Sequence, residues 1–336
     1  MKPQADLAPE MLEAIEAELQ SYLDFAPAPY GGIAEMLRHH FGWDTHAPEA
    51  RGKRIRPLLT LLSNAATGGD WRTALPAAAA IELIHNFTLV HDDIEDASET
   101  RRGRPTVWFR WGIPQAVNTG DFLYVVSHLA CHRLLERGVP AEAVLAVRNE
   151  LDLACLSLSQ GQHLDIAFES RDPVASQEYL TMIAGKTAAL LGAACAAGAI
   201  VAEAGAEATE ACRRFGRSLG MAFQLMDDLI GIWGDPRETG KSDSDDLRQG
   251  KKTYPVLLGM QRSPPFHRAW ASGRASESDV AALQELLEAA GARQATQAEA
   301  ERYTHEAQQA LDALGDRAAA AAELRALAAR LLHRDR

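Results

Sequence analysis

Cysteine is scarce in this 336-residue chain: four residues, at 131, 155, 195 and 212, with no C-x-x-C pair. That excludes a disulfide scaffold and a thiolate metal knuckle, and it predicts reduced, buried thiols in a cytoplasmic protein. Aromatics are also sparse, at 6%. Basic residues fall short of acidic ones, 34 against 46, for a net charge of −12. Nucleic acid is therefore not expected as a partner, because duplex binding needs a dominant basic surface. No basic segment followed by an apolar stretch opens Met1–Leu12, so no signal peptide is expected. The most apolar window, Thr187–Ala204, is rich in Ala and Gly and reads as a buried helix, so no membrane span is expected. Alternation that would support a sheet is missing. Nucleophile and nucleotide motifs are missing too, with no G-x-S-x-G, no H-E-x-x-H and no P-loop.

What is present is helix-forming composition. Apolar residues make up 47% and charged residues 24%, the balance of a folded globular chain. Alanine, leucine and glutamate recur at helical spacing. The periodicity predicts helices over Glu10–Phe25, Gly32–Phe41, Pro57–Gly68 and Leu75–Asp96, with a break at Glu99–Pro105. Further helices are predicted over Pro114–Arg137, Ala141–Phe168, Ser176–Glu203 and Ala208–Trp233. A polar stretch, Gly234–Lys252, precedes Tyr254–Met260, Asp279–Ala290 (stopped by Gly291) and Gln297 to the end. No low-complexity linker divides the chain. The expectation is an all-α fold, one domain over residues 1–336.

Chemistry concentrates at two helix ends. His91-Asp92-Asp93-Ile94-Glu95-Asp96 closes an apolar helix, with Asp92 and Asp96 four apart on one face. Like charges at that spacing repel, and carboxylates oppose the dipole at a helix C-terminus. A divalent cation reverses the sign of both effects. Magnesium suits such a site, since it takes one or two carboxylates and fills its shell with water and phosphate oxygens. Asp227-Asp228 repeats the arrangement 135 positions later, where Phe223-Gln224-Leu225-Met226 leads into it. Two acidic helix ends facing one cavity would hold several magnesium ions around a polyphosphate.

Cations accompany both clusters. Arg51-Gly52-Lys53-Arg54-Ile55-Arg56-Pro57 precedes a helix start, where free backbone N–H groups favour an anion. Arg101-Arg102-Gly103-Arg104 follows the first cluster, Lys241, Lys251 and Lys252 follow the second, and Lys186-Thr187 opens an apolar helix. Any one run reads more readily as solvated surface charge; four of them, in an acidic chain, point to diphosphates. His39-His40 has no ligand-type neighbours and reads as surface.

The order of these elements resembles the trans-isoprenyl diphosphate (polyprenyl) synthase family. DDIEDASETRRGRPT is similar to that family's first aspartate-rich motif, Gly52–Pro57 to its upstream basic motif, and FQLMDDLIGIWGDPRETGKSDSDDLRQGKKTYP to its second aspartate-rich region. GQHLDI and GKTAAL also look like family elements, so the match covers about residues 50–260. The resemblance implies a helical bundle around a central cavity (the isoprenoid synthase fold) and an enzyme condensing isopentenyl diphosphate with an allylic diphosphate. It implies Mg2+ at Asp92, Asp96 and Asp227, with Asp93 and Asp228 in support. Arg101, Lys186, Thr187, Lys241 and Lys251 would hold the allylic diphosphate, and Lys53, Arg56, His85, Arg102 and Gln224 the isopentenyl diphosphate. Lys186, Asp92 and Asp227 are the expected catalytic groups, Gln162 and Asp165 would line the cavity, and a homodimer through Pro114–Leu135 is expected. The second motif departs from DDxxD, because its fifth position is Gly231; Asp235 or Asp246 could compensate.

Product length is read upstream of Asp92. Phe87, five positions before, with the small Thr88 at the fourth, is similar to the family's C20 pattern, with Ile84 or a facing helix closing the tunnel. Geranylgeranyl diphosphate is the expected product and farnesyl diphosphate the alternative. A terpene cyclase has no use for a second diphosphate site, which Lys53, Arg56 and Arg102 suggest. A non-catalytic partner subunit would have lost site residues, and only Gly231 fits that.

Overall fold

Four consecutive alanines, Ala77–Ala80, are sealed from solvent along the helix that carries the first acidic cluster. Side chains this small let neighbouring helices approach closely. We describe a computed structural model covering residues 7–234, 245–270, 277–314 and 318–332. The chain packs as two compact units. One comprises Met1–Asp152, Ala194–Thr209 and Arg317–Ala321; the other comprises Leu153–Ala193, Glu210–Asp316 and Ala322–Arg336.

In the first unit α1 (Ala8–Ser21), α2 (Gly31–His40) and α3 (Ile55–Ala66) lead to α4 (Leu75–Glu95). A two-stranded ribbon, β1 (Thr100–Arg101) and β2 (Arg104–Pro105), is followed by α5 (Val107–Trp111) and α6 (Ile113–His132). Helix α4 is the hub, packed on α1, α3 and α6. It is apolar around most of its circumference, with Ile81, Leu83 and Ile84 buried, as a central helix must be. Helix α7 (Ala141–Ser170) runs on into the second unit.

The second unit holds α8 (Ser176–Ile183) and most of α10 (Gly205–Trp233), with α9 (Ala189–Val201) shared between the units. Short helices α11 (Asp245–Gln249), α12 (Tyr254–Arg262) and α13 (Pro264–Trp270) precede α14 (Glu277–Ala289), α15 (Ala292–Asp312) and α16 (Ala318–Leu332). Phe168, Tyr179, Ile183, Leu225 and Leu257 form one core cluster; Ile232, Val256, Phe266 and Leu287 belong to another.

The all-helical expectation holds, with local corrections: short helices at Val107–Trp111, Asp245–Gln249 and Pro264–Trp270 were not expected. The single helix expected over Ser176–Glu203 is interrupted by a π-helical turn at Ala184–Ala188. The break at Glu99–Pro105 is an antiparallel hairpin in which Thr100 faces Pro105 and Arg101 faces Arg104. Arg102 and Gly103 turn it with φ of 52° and 70°, the two positive values that a tight two-residue hairpin needs. Trp71–Glu95 and Ser176–Val201 are long and apolar enough to cross a membrane, but both are mostly buried within the protein. All four cysteines are free and buried, as expected.

Candidate active site

In the first unit, the loop before α3 is anchored by Arg54. It is buried, adopts a left-handed φ of 48°, and donates to Glu16 Oε1 at 2.6 Å and Glu82 Oε1 at 3.0 Å. Two carboxylates hold this cation in place; its turn leaves Lys53 exposed and starts α3 at Ile55. Arg56, in the first turn, donates from Nη1 to His85 Nε2 at 3.0 Å. A guanidinium only donates, so His85 accepts there and carries its proton on Nδ1. Burial, then the Arg56, Arg102 and Arg101 charges, hold the His85 imidazole well below its usual range, so it stays neutral. Arg102 lies against Gly52 and donates to Ala50 O at 3.2 Å, which joins the hairpin to the basic loop.

The hairpin is pinned from α2. His39 is buried, not a surface group, and donates from Nε2 to Pro105 O at 2.8 Å. His40 also departs from the surface reading: its Nε2 is sealed from solvent. Burial, and the nearby Arg101 and Arg102 charges, lower its pKa to about 3. Two histidines at helix spacing from Leu37 and Phe41 gave no sequence sign of this, because the hairpin that covers them arrives from 60 or more positions away.

The first acidic cluster divides by role. Asp93 is 1% exposed and accepts from Arg101 Nε at both oxygens, 2.9 and 3.1 Å, with Nη2 at 2.8 Å. Desolvation raises its pKa against the lowering effect of that arginine. Asp92 is half-buried and Asp96 exposed, one turn apart at the end of α4. Five residues before Asp92, Phe87 packs its ring on Tyr124 of α6 (centroids 5.2 Å apart) and on His91 (5.1 Å). Thr88 is buried, with its hydroxyl donating to His85 O at 2.8 Å, and Ile84 is sealed in the core.

The second unit repeats the division. Asp228 is 2% exposed and accepts from Tyr179 Oη at 2.7 Å, Tyr254 N at 3.2 Å and Gln224 Nε2 at 3.1 Å. Burial pushes its carboxyl up to about 7, against those three donors. Gln224 Oε1 in turn accepts from Thr187 Oγ1 at 3.0 Å, so three predicted site residues form one chain of hydrogen bonds. Asp227, beside Asp228, is half-buried. Tyr179 escaped the sequence reading; it lies 49 positions from Asp228, and no spacing rule links them.

Lys186 sits in the π turn and donates to Asp165 Oδ2 at 2.5 Å. The turn is set by two glycines. A Cβ on Gly161 would lie 2.3 Å from Lys186 N, and one on Gly185 would lie 2.5 Å from Ser157 O. Only backbones without side chains approach this closely. Lys251 and Lys252 differ although adjacent. Lys252 Nζ caps the end of α7 through Phe168 O at 2.8 Å and Arg171 O at 2.6 Å, whereas Lys251 is exposed with Asp246 at 3.9 Å. Lys241 and Asp235 lie outside the described residues.

A helical protein with paired aspartates near two helix C-termini, and with arginine and lysine side chains held by other carboxylates, defines a class: transferases that handle diphosphate esters. The chain belongs to the polyprenyl synthetase family, whose profile matches residues 44–290. It is 44% identical over 261 residues to geranylgeranyl diphosphate synthase of Mycobacterium tuberculosis, covering 76% of this chain and 73% of that one. It is 38% identical over 338 residues to (2E,6E)-farnesyl diphosphate synthase of Mycobacterium bovis, covering 97% and 91%. Among solved structures, geranylgeranyl pyrophosphate synthase from Corynebacterium glutamicum, complexed with isoprenyl diphosphate and magnesium, superposes with a TM-score of 0.84 at 30% identity. That match covers 98% of this chain and all of the other. The protein is thus a trans-prenyltransferase of isoprenoid biosynthesis with the isoprenoid synthase fold.

Proposed function

We propose that this enzyme extends an allylic diphosphate with isopentenyl diphosphate to make geranylgeranyl diphosphate, using Mg2+. One observation carries the assignment of roles. In each acidic pair the second carboxylate, Asp93 or Asp228, is buried and engaged by protein donors, while the first, Asp92 or Asp227, is half-buried at the helix end. The first members, with Asp96, are the metal ligands in this reading, and the second members support them.

The donor set fits magnesium. Asp92, Asp96 and Asp227 offer the hard oxygens that magnesium prefers over softer ligands, with water and phosphate oxygens left to complete its shell. When bound, the ion neutralises the diphosphate as the allylic C–O bond breaks. Arg101, held by Asp93, and Lys186, held by Asp165, are aimed cations for the allylic diphosphate, joined by Thr187, Lys241 and Lys251. Arg56, oriented by His85, would hold isopentenyl diphosphate with Lys53, Arg102 and Gln224. The isopentenyl double bond then attacks the allylic cation, and a proton leaves to the released diphosphate. Apolar helical walls keep water from the cation.

The family profile runs through both compact units, which supports reading residues 1–336 as one catalytic domain. A homodimer is supported by α6, where Ile113, Val117, Val125 and Leu129 are exposed at multiples of four and would be covered by a second copy. A cytoplasmic location agrees with the buried free thiols. The deciding experiment incubates the purified chain with isopentenyl diphosphate and labelled C5, C10 and C15 allylic primers. C20 product is expected, C15 as end product would assign the farnesyl alternative, and no product from any primer would leave the partner-subunit reading.

A further inference from the structure

The hairpin that carries Arg101 and Arg102 is not packed on the first unit along its whole length. A small cavity lined by His39, His40, Asp93, Arg101, Arg102 and Arg104 lies between them. Hydrogen bonds at a few points hold the hairpin instead. Thr106 closes its base, with the N–H donating to Glu99 O and the hydroxyl to Ser98 O, each at 2.9 Å. Arg101 and Arg104 face each other across the ribbon, and each grips a different carboxylate. Arg101 takes Asp93 on α4. Arg104 reaches the other way, to α2 and the loop after it: Nη1 donates to His39 O at 2.8 Å, and Nη2 to Asp44 Oδ1 and Oδ2 at 2.7 and 2.8 Å. His39 returns a bond from Nε2 to Pro105 O, and its Nδ1 accepts from Arg104 Nη2 at 2.8 Å. Against a desolvation penalty, Arg104 and then His39 hold the Asp44 carboxyl below its usual range.

We propose that Asp44, Arg104 and His39 are positioning residues, a clamp on the second strand that sets where Arg102 presents its guanidinium to isopentenyl diphosphate. This rests on the reading of Arg102 as a group that holds isopentenyl diphosphate. Arg102 is two positions from Arg104, at a turn joining strands of only two residues each. So short a ribbon does not fix its own tip, because an isolated pair of strands is marginal at best. Releasing Arg104 therefore frees the tip to shift, and a displacement of about 1 Å in a substrate-holding group is enough to weaken its action strongly. The clamp is partly exposed, with Arg104 at 24% and Asp44 at 33%. Ion pairs of that kind contribute little to global stability, so positioning and folding are separable by experiment. Of the three arginines in this run, two are aimed at substrate and the third secures the strand behind them.

The test is steady-state kinetics at saturating Mg2+ and allylic diphosphate, with isopentenyl diphosphate varied and unfolding midpoints taken on the same preparations. Asp44→Asn and Arg104→Ala should each raise KM for isopentenyl diphosphate about tenfold, with kcat within about twofold of wild type. Their unfolding midpoints should stay near wild type. Asp44→Glu, which still offers a carboxylate to the Arg104 fork, should recover most of the loss. Arg102→Ala is the reference and should raise the same KM further. Asp44→Asn combined with Arg102→Ala should be no worse than Arg102→Ala alone, because the clamp acts through that side chain. A wild-type KM in Asp44→Asn and Arg104→Ala, beside a raised one in Arg102→Ala, would overturn the inference and leave the reading of Arg102 intact. Losses that add in the double variant, or a raised KM that comes only with a lowered unfolding midpoint, would overturn it too, as marks of a structural role. If Arg102→Ala itself has a wild-type KM, the reading of Arg102 has failed and the clamp falls with it. Arg104→Lys, which keeps the charge but loses the fork, serves the same comparison if Arg104→Ala does not fold.

Discussion

Adjacent carboxylates in this protein have opposite surroundings, and mutation should separate them. Asp92→Ala or Asp227→Ala should lower turnover by several orders of magnitude while leaving the helical circular dichroism and unfolding midpoint near wild type. Near-normal turnover at saturating Mg2+ would refute the assignment. Asp228→Ala should behave differently, because it strands Tyr179 Oη, Tyr254 N–H and the Gln224 amide inside the protein. Each buried orphan donor costs about 1–3 kcal/mol, so this variant should lose stability as well as activity. His40 offers a pH test. Its folded pKa of about 3 lies below the unfolded value of 6.5. Between those values the unfolded chain binds the extra proton, so stability is full above about pH 6.5 and falls with acidification toward pH 3. The slope from this group is at most about 1.4 kcal/mol per pH unit. His40→Gln should flatten the acid limb of a chemical-denaturation series by that amount; an unchanged slope would show that the imidazole titrates normally in the fold.

Under the proposed function, α4 and α6 are the helices expected to set how long the product grows. Phe87 on α4 packs against the Tyr124 ring from α6, so the expected barrier is an aromatic pair rather than one side chain. A helix rises about 1.5 Å per residue, which puts Phe87 only about 7.5 Å along the axis from Asp92. Phe87→Ala should lengthen the product and Thr88→Phe should shorten it, read by chromatography of the dephosphorylated alcohols. Unchanged lengths in both would move the stop to another element. Ile84, expected as a possible floor, is sealed in the core of the first unit. Tyr124 was not legible beforehand, since nothing in α6 marks which of its residues face α4 until the two helices are packed.

At the scale of the whole molecule, the exposed stripe on α6 has the character of an interface. Ile113, Val117, Val125 and Leu129 stay in solvent while residues between them, such as Ala116 and Leu123, are buried. Light scattering at micromolar concentration should give about twice the chain mass of 36.4 kDa. A mass near that of one chain would refute the dimer. Val125→Asp and Leu129→Asp together should shift the population toward single chains, since each new charge would have to lose its water to be covered by a second copy.

Most of the architecture and the chemical groups were determined by local sequence. Apolar periodicity set α4 and α10, and the aspartates at their ends follow from one-dimensional spacing, because a helix converts a separation of four into a shared face. The cations were legible by the same logic, as runs beside helix ends. What only tertiary structure decided is which partner each of these groups meets. Arg101 reaches Asp93 because a hairpin turns at Arg102-Gly103, and Lys186 takes its direction from a π turn whose Gly185 packs closely on α7 at Ser157 and Gly161. Tyr179 closes on Asp228 from a segment with no spacing relation to α10. Helical spacing relates residues within a turn or two; contacts between distant segments depend on how whole helices pack, and that is settled by the shape of their buried surfaces.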